Sequence, residues 1–462
     1  MEPGAQETLY EVRQKIYPRA VSGAFAQWRW AMVWITQLVF YGLCWLPWNG
    51  RQAVLFHLAE RKFYVFGLVL WPQDVFYLAV LLIISAYALF LFTAVAGRLW
   101  CGFACPQTVY TEIFLWVERL VEGDRNKRMK LDSAPNSLRK IGLKVLKYAV
   151  WILLSIWTGI TFVGYFTPIR EVVGNLAGFE LSGWEAFWLF FYSAFTYLMA
   201  GVMREQVCKY MCPYARFQSV MFDSDTLVIT YDRERGETRG ARKKGEAYRE
   251  QGLGDCVDCG ICVQVCPTGI DIRNGLQYEC IGCTACIDAC DQVMTKMEYP
   301  RGLIRYSTEN ALKQHWGRSE ILRHVFRPRI LMYVAVLGAI CIAFMWGLFS
   351  RDEIRVDVIK DRTILSREVE GGLIENVYIL QLMNMGEQPK QLHLSVEGLP
   401  GIALDGPQIV PVDASHNKTA TVRVRVPMDD VGKGSHEIFF VISADDGNQP
   451  LILREKAVFI SP

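Results

Sequence analysis

Histidine is scarce in this chain, and so is any excess of positive charge. Only six of the 462 residues are histidine, and all six lie outside the long uncharged runs of the sequence. A haem held between two histidines inside a bilayer would therefore have no ligands. The net charge is +2 at pH 7, and a chain so close to neutrality gives no reason to expect a nucleic-acid partner.

Charged residues are absent from five long runs of the sequence. A helix needs about 20 residues to cross the hydrocarbon core of a bilayer, which is close to the length of these runs. The apolar share of the chain is 52%, as in a membrane protein. We therefore predict five transmembrane helices, which lie between Arg29 and Arg51, Asp74 and Arg98, Lys147 and Arg170, Glu185 and Arg204, and Arg329 and Arg351.

A sixth apolar stretch, FYVFGLVLWPQ, is shorter and is interrupted by Pro72. Its length is insufficient for a transmembrane helix. We predict that this stretch lies on the lipid surface or re-enters the membrane from one side.

The loops between these runs differ in their basic residues, which predicts the orientation of the chain. Residues 98–147 carry ten Lys or Arg, whereas residues 51–74 carry three and residues 170–185 carry one. Loops rich in Lys and Arg stay in the cytoplasm. We expect a bacterial inner-membrane protein whose N-terminus and residues 98–147 and 204–329 are cytoplasmic, with the part after residue 350 in the periplasm. A eukaryotic organelle membrane is the alternative, but the sequence has no transit-peptide pattern. No cleavable signal peptide is expected, since the first run begins near residue 30.

Cysteine is missing from the segment after residue 350, although the whole chain has fourteen. Cys44 and Cys341 fall within predicted spans, where we expect them to pack as small side chains. The other twelve fall on the predicted cytoplasmic side. A reducing compartment keeps thiols available for metals, so this distribution agrees with the predicted orientation and argues against disulfides.

Two cysteine runs, CVDCGICVQVCP and CIGCTACIDACD, share the spacing C-x2-C-x2-C-x3-C. This spacing is typical of bacterial two-cluster ferredoxins, in which the fourth cysteine of each run ligates the other cluster. Paired CxxC zinc sites are the alternative, but the even repeat of eight cysteines favours two [4Fe-4S] clusters. Asp291 stands where a proline is expected after the second run. The predicted ligands are Cys256, Cys259, Cys262 and Cys290 for the first cluster, and Cys280, Cys283, Cys286 and Cys266 for the second.

A second cysteine pattern, CxxxCP, occurs in WCGFACPQ and in VCKYMCPYAR. Each copy follows a pair of predicted spans, so residues 30–112 and 148–220 are interpreted as an internal duplication. On a helix the two cysteines would lie on one face, which suits a shared metal or a redox dithiol. Thiolates favour Cu(I), zinc or iron–sulfur; the alternative is that these small residues only pack helix ends. The candidate redox and copper-binding thiols are Cys101, Cys105, Cys208 and Cys212.

The segment from residue 351 alternates between apolar and polar residues, as in ATVRVRV and HEIFFVIS, with turn-rich pieces such as DGP and ADDGNQ between. About seven short strands with this pattern indicate an immunoglobulin-like sandwich without a disulfide. It could dock onto a partner or serve as a passive stabilising domain.

The predicted fold is thus a multi-pass α-helical membrane protein with a cytoplasmic ferredoxin insert and a periplasmic immunoglobulin-like β-sandwich. Its expected segments are a cytoplasmic N-terminal segment (1–29), a four-helix membrane domain with both CxxxCP motifs (30–220), a two-[4Fe-4S] ferredoxin domain (221–328), the fifth transmembrane helix (329–350) and the periplasmic domain (351–462).

The two CxxxCP motifs, the eight-cysteine pattern and the segment YPRGLIRYSTENA together resemble the FixG/RdxA/CcoG family of cbb3-type cytochrome c oxidase accessory proteins. The resemblance covers nearly the whole chain. It implies a membrane-bound polyferredoxin that reduces Cu(II) to Cu(I) for the haem–copper centre of the oxidase.

The resemblance also implies particular partners: the membrane, a cytoplasmic electron donor, and copper chaperones or oxidase assembly factors. The alternative is an electron-transfer subunit similar to NapH, which passes electrons to a quinone or to a periplasmic reductase.

Overall fold

A computed structural model of the chain describes residues 15–361, 365–445 and 450–462. The first fourteen residues of the predicted N-terminal segment, and positions 446–449 in the predicted turn ADDGNQ, lie outside these ranges. The chain forms two compact units. Among the described residues, the first contains positions up to 45 and 78–342, and the second contains 46–77 and the positions from 343 onwards.

Four helices in the described part of the chain are long and apolar enough to cross a membrane, and they coincide with four of the five predicted runs. Little of their surface is covered by protein, so many large apolar side chains point outwards. A surface of this kind is stable in lipid and unfavourable in water. The four helices are Pro72–Ala96, Leu138–Val163, Gly183–Met203 and Pro328–Phe349.

The remaining run, between Arg29 and Arg51, contains most of the helix Ala24–Gly42. This helix is not among the four that are long and apolar enough to cross a membrane. The helix starts before the run and includes Gln27 and Arg29, which lower its apolar character. It ends at Gly42, and Cys44 lies buried in the following 3-10 turn Leu43–Trp45. The structure therefore supports four spans by length and composition.

The rest of the first unit consists of shorter elements. The strands Val228–Tyr231 and Ile304–Ser307 pair in antiparallel fashion, and they pack with cysteine-bearing segments in one apolar core. The shorter helices are Leu99–Phe103, Pro106–Glu122, Arg125–Ser133, Ile169–Gly178, Pro213–Met221, Arg233–Gly236, Ile261–Gln264, Ala285–Met297, Glu309–Lys313 and Arg318–Val325.

Most of the second unit is formed by two antiparallel sheets that share one apolar core, as expected for a sandwich. The rings of Tyr378 and Phe440, one from each sheet, meet edge to face at 5.2 Å. One sheet orders the strands Ala403–Asp405, Asn417–Pro427, Leu373–Asn384 and Ile354–Lys360, and Arg367–Val369 also pairs with Leu373–Asn384. The other orders Ile409–Val412, Lys390–Glu397, Gly434–Asp445 and Pro450–Ser461.

The sequence alone did not predict the secondary structure of the stretch FYVFGLVLWPQ. Residues 54–70 form a three-stranded antiparallel sheet with strands Val54–His57, Lys62–Val65 and Leu68–Leu70. Tyr64, Val69 and Trp71 are buried with Met385 of the sandwich region, and Arg51 pairs with Glu387 at 3.0 Å. The apolar side chains of a short stretch can thus be buried by protein as well as by lipid, and length alone does not distinguish the two.

Neighbouring residues on the last strand provide a test of the sandwich core. Phe459 is fully buried, whereas Val458 is 42% exposed. Replacing Phe459 by Ala should destabilise the sandwich by about 3–5 kcal/mol, because it removes apolar contacts and leaves a cavity. Val458→Ala should cost less than about 1 kcal/mol. Thermal unfolding of the sandwich in the full-length protein is monitored by protease cleavage after residue 350, and it measures the change in stability caused by each substitution. Equal effects of the two substitutions would contradict the described core.

Candidate redox site

The first predicted set of cluster ligands lines one cavity. Cys256, Cys259, Cys262 and Cys290 all face it, although Cys290 belongs to the other cysteine run. Gly260 has a φ of 65°, which glycine adopts without strain, and it starts the short helix Ile261–Gln264. The chain therefore reverses tightly between the second and third cysteines, and the long helix Ala285–Met297 supplies the fourth.

The second predicted set also combines cysteines of both runs. Cys280, Cys283 and Cys286 interact electrostatically with one another and with Cys266 of the first run. Burial raises the pKa of the Cys280 thiol to about 12 and that of Cys283 to about 11. Thiols in such surroundings stay neutral unless a metal stabilises the thiolate. Two sets of four soft ligands fit iron–sulfur clusters, which supply one-electron transfer when bound.

Asp291 replaces the expected proline without disturbing the second run. The helix Ala285–Met297 continues through this position. The carboxylate accepts a hydrogen bond of 2.8 Å from the Gly302 amide. Asp291 therefore stabilises the turn at Gly302, and the helix that carries Cys290 is not interrupted.

The two CxxxCP motifs share two backbone features. In each, the second cysteine is the residue before a proline that starts a helix, Pro106–Glu122 or Pro213–Met221. The residue four positions before the first cysteine has positive φ in both: 56° at Gly97 and 45° at Arg204. This correspondence is what the predicted internal duplication requires.

The expectation that each cysteine pair lies on one helix is wrong. Cys101 belongs to the short helix Leu99–Phe103, but Cys105 follows it in an extended conformation. Cys208 likewise lies in a π-helical turn that ends before Cys212. The cause is the proline, because a residue that precedes proline disfavours the helical conformation.

The motifs face each other through reciprocal contacts. Gln107, two residues after Cys105, donates a hydrogen bond of 3.2 Å to the carbonyl of Arg204. Tyr214, two residues after Cys212, donates one of 3.0 Å to the carbonyl of Leu89. The Cys101 thiol also donates a hydrogen bond to Gln218, at 3.3 Å. Each motif is therefore held against the helices of the other.

These contacts bring the four CxxxCP thiols together into one group, which we call the CxxxCP quartet. The Cys208 thiol interacts electrostatically with the other three. Burial, followed by these neighbours, raises the pKa of Cys208 to about 12, and burial raises that of Cys101 to about 11. In the described residues no three His, Cys, Asp or Glu side chains converge tightly enough to hold a single ion, and this applies to the ferredoxin cysteines as well.

The first motif also touches the loop of the second cluster set, at two glycines. A Cβ atom on Gly102 would lie 2.9 Å from the Cys283 nitrogen and still closer to the Gly282 carbonyl. A Cβ on Gly282, whose φ is 70°, would lie 2.9 Å from the carbonyl oxygen of Arg98. Backbone thus packs directly on backbone between a CxxxCP motif and a CxxC loop.

Sequence reasoning missed this contact and the residues that anchor it. Cys101 and Cys208 share an apolar cluster with Cys283. Asp288, between the last two cysteines, accepts a hydrogen bond of 2.7 Å from the Ala26 amide at the start of the helix Ala24–Gly42. The only signals in the sequence were Gly102 in the first CxxxCP motif and Gly282 in CIGC. A glycine in a loop does not by itself indicate a close backbone contact.

Comparison with protein families agrees with this division of the chain. A family described as "4Fe-4S dicluster domain" matches residues 203–309. Another, described as "4Fe-4S binding domain", matches residues 78–126. A third, described as an "IG-like fold at C-terminal of FixG", matches residues 344–462.

Whole-chain relatives are similar over most of their length. "Nitrogen fixation protein FixG" of Rhizobium meliloti is 40% identical over 86% of this chain and 82% of that protein. "Protein RdxA" of Cereibacter sphaeroides is 38% identical over 90% of each. "Ferredoxin-type protein NapH" of Haemophilus influenzae is 23% identical over 47% of this chain and 68% of its own.

Among solved structures, a FixG-related protein from Vibrio parahaemolyticus matches 24% of this chain and 98% of its own, at 22% identity and a TM-score of 0.22. The family of the chain follows from its sequence identity to FixG and RdxA over most of their length and from the match of its C-terminal segment. The chain belongs to the FixG family of iron–sulfur electron-transfer proteins.

Proposed function

We propose that this protein carries electrons from a cytoplasmic donor through its ferredoxin domain to the CxxxCP quartet, where Cu(II) is reduced to Cu(I). The contact between Gly102 and Gly282 carries the proposal. It joins the loop of Cys280 and Cys283 to the motif of Cys101 and Cys105 without an intervening side chain. Cluster ligands and quartet thiols are thereby neighbours in one packed region.

The quartet thiols would be the copper ligands in this proposal. A thiolate prefers Cu(I) to harder ions, so transfer of Cu(II) to these thiols favours the reduced state. One electron from the ferredoxin domain completes the change from Cu(II) to Cu(I). Cys208 and Cys283 line the same small cavity, together with Gly102, which places possible copper ligands and a cluster ligand around one space. Cu(I) would then pass to copper chaperones or assembly factors of a cbb3-type oxidase.

The alternative function has support from one comparison. The NapH relative from Haemophilus influenzae aligns with 47% of this chain, and a protein of that type would deliver electrons to a quinone or to a periplasmic reductase. The two functions differ in their final acceptor. Reduction of Cu(II) by the purified chain alone favours the first, and electron delivery only in the presence of a partner favours the second.

The same proposal includes a topology with five crossings of a bacterial inner membrane. The helix Ala24–Gly42 would be the first crossing, and the ferredoxin domain would be cytoplasmic. Residues 46–77 and 343–462 belong to one compact unit, whereas both CxxxCP motifs and all eight ferredoxin cysteines belong to the other. The ten basic residues of positions 98–147 support a cytoplasmic side for the CxxxCP motifs.

The cluster ligands predict the iron content. Protein purified without oxygen should contain about eight cluster irons per chain, because it has two complete sets of four cysteines. Cys259→Ser should remove about half of this iron and change the electron paramagnetic resonance spectrum of the reduced protein. Cys341→Ser, in the helix Pro328–Phe349, is the control and should change neither. About four irons in the fully loaded parent protein would contradict the assignment.

The quartet predicts the site of copper reduction. Replacing both Cys101 and Cys208 by Ser should leave the cluster spectrum intact. Cu(II) reduction should fall by roughly tenfold or more, because serine is a harder and far less acidic ligand. The assay follows Cu(I) with a colorimetric chelator after anaerobic reduction of the protein and removal of excess reductant. Normal copper reduction by this double variant would show that the thiols are structural.

The topology predicts where a reporter enzyme works. An enzyme active only outside the cytoplasm should be active when fused after residue 350 and inactive when fused within residues 220–320, because basic loops are retained inside. Activity is measured in whole cells and normalised to the amount of fusion protein. The reverse pattern would overturn the predicted orientation.

A further inference from the structure

Two buried arginines flank the loop between Cys280 and Cys283. Arg29 is 8% exposed and Arg98 is 6% exposed. Arg29 donates a hydrogen bond of 3.3 Å to the carbonyl of Cys283. The main chain of Arg98 packs on Gly282, and its guanidinium donates to the carbonyl of Ala215. Both arginines therefore contact this loop, Arg29 through its guanidinium and Arg98 through its main chain.

In the described part of the chain, neither guanidinium forms an ion pair with a carboxylate. The partners of both arginines are backbone carbonyls, and the buried Nε of Arg29 has no hydrogen-bond partner among the described residues. Three carboxylates lie nearby. Glu112 and Glu205 line the same cavity as Arg29, and Glu112, which also acts on the Cys283 thiol, pairs with Arg119 at 3.1 Å. Asp288 accepts hydrogen bonds from backbone amides. A buried cation without a counter-ion is strongly destabilising unless another negative charge compensates it.

The thiolates of the second cluster set are placed to supply that charge. Arg98 interacts electrostatically with Cys280, and Arg29 interacts with Cys283. Arg98 also interacts with Cys101 and therefore lies between the second set and the CxxxCP quartet. A cluster ligated by four thiolates is anionic, and it gains one further negative charge when it is reduced. Nearby cations favour that added charge.

The surroundings of the first set differ. Arg273 lines its cavity, but this guanidinium is paired with Asp271 at 2.7 Å and with Asp258 at 2.5 Å. Asp291 follows Cys290 directly and interacts with its thiol. The guanidinium near the first set is thus paired with two carboxylates, whereas Arg29 and Arg98 near the second bind backbone carbonyls.

We propose that Arg29 and Arg98 give the second cluster a higher reduction potential than the first, so that electrons pass from the first cluster to the second and on towards the CxxxCP quartet. In this step the first cluster is oxidised by one electron, the second is reduced by one electron, and no proton moves. Both arginines are positioning residues, because they act on the electron through the cluster they surround. The inference is independent of whether copper is the final acceptor.

Redox titration of the full-length protein, monitored by electron paramagnetic resonance, tests the proposal. Cys259→Ser and Cys283→Ser first identify the signal of each cluster by its loss. In the parent protein the second cluster should then titrate at the higher potential. Arg98→Gln should lower the ratio of reduced to oxidised second cluster by about tenfold at a fixed potential, equivalent to about 59 mV for one electron. The first cluster should not shift.

Three further variants keep the test decisive. Arg98→Lys keeps the positive charge and should retain most of the parent potential. Arg216→Gln changes an exposed arginine beside Ala215 and should shift neither cluster. Arg29→Gln should also lower the reduction potential of the second cluster. This variant replaces Arg98→Gln as the test if Arg98→Gln loses cluster iron.

Two results would overturn the proposal: a second cluster whose potential is equal to or below that of the first, or glutamine variants that retain iron and the parent potential. Failure of Cu(II) reduction with the predicted potentials intact would instead contradict only the copper acceptor. The two inferences therefore fail on different measurements.

Discussion

Gly102 packs against the backbone of Gly282, and Gly282 packs against the backbone of Arg98, so that neither glycine position has space for a side chain. This backbone contact fixes the separation between the ferredoxin cysteines and the CxxxCP thiols, and other features maintain it. Asp288 caps the helix Ala24–Gly42, and Arg29 from the same helix binds the carbonyl of Cys283. The ferredoxin segment is consequently packed into the helical unit as part of it, whereas a tethered domain would move relative to its anchor.

The second motif depends on a buried network of charges. Arg204 has a φ of 45°, a conformation that costs a residue with a side chain about 1–3 kcal/mol. Its guanidinium pairs with Glu118 at 2.6 Å, and Glu118 also pairs with Arg128 at 2.9 Å. Lys147 is buried in the same group. These three basic residues, which the sequence presents as ordinary loop charges, thus stabilise the turn before Cys208. A lone charge left in this network would be strongly destabilising.

Much of this architecture could be predicted from the sequence because its signals are local. Uncharged runs locate four helices, cysteine spacing groups the eight ferredoxin ligands, and alternation in the tail predicts strands. The remainder depends on contacts between distant segments: Gly102 meets Gly282 across 180 positions. Arg29 resembles an ordinary charge at the start of a span until the structure buries it against Cys283. The sheet of residues 54–70 was missed for a related reason, since a short apolar pattern does not reveal what covers it.

The most direct test of the account is a rapid-mixing experiment on electron transfer between the two thiol-rich regions. Protein reduced without oxygen and freed of reductant is mixed with Cu(II), while cluster oxidation and Cu(I) formation are followed together. The account predicts equal rates for the two signals, and both should slow in Gly102→Ala, where a methyl group pushes the loops apart. Gly142→Ala, whose added methyl group meets nothing within 4 Å, should match the parent protein. Cu(I) formation without cluster oxidation, or an unchanged rate in Gly102→Ala, would contradict the account.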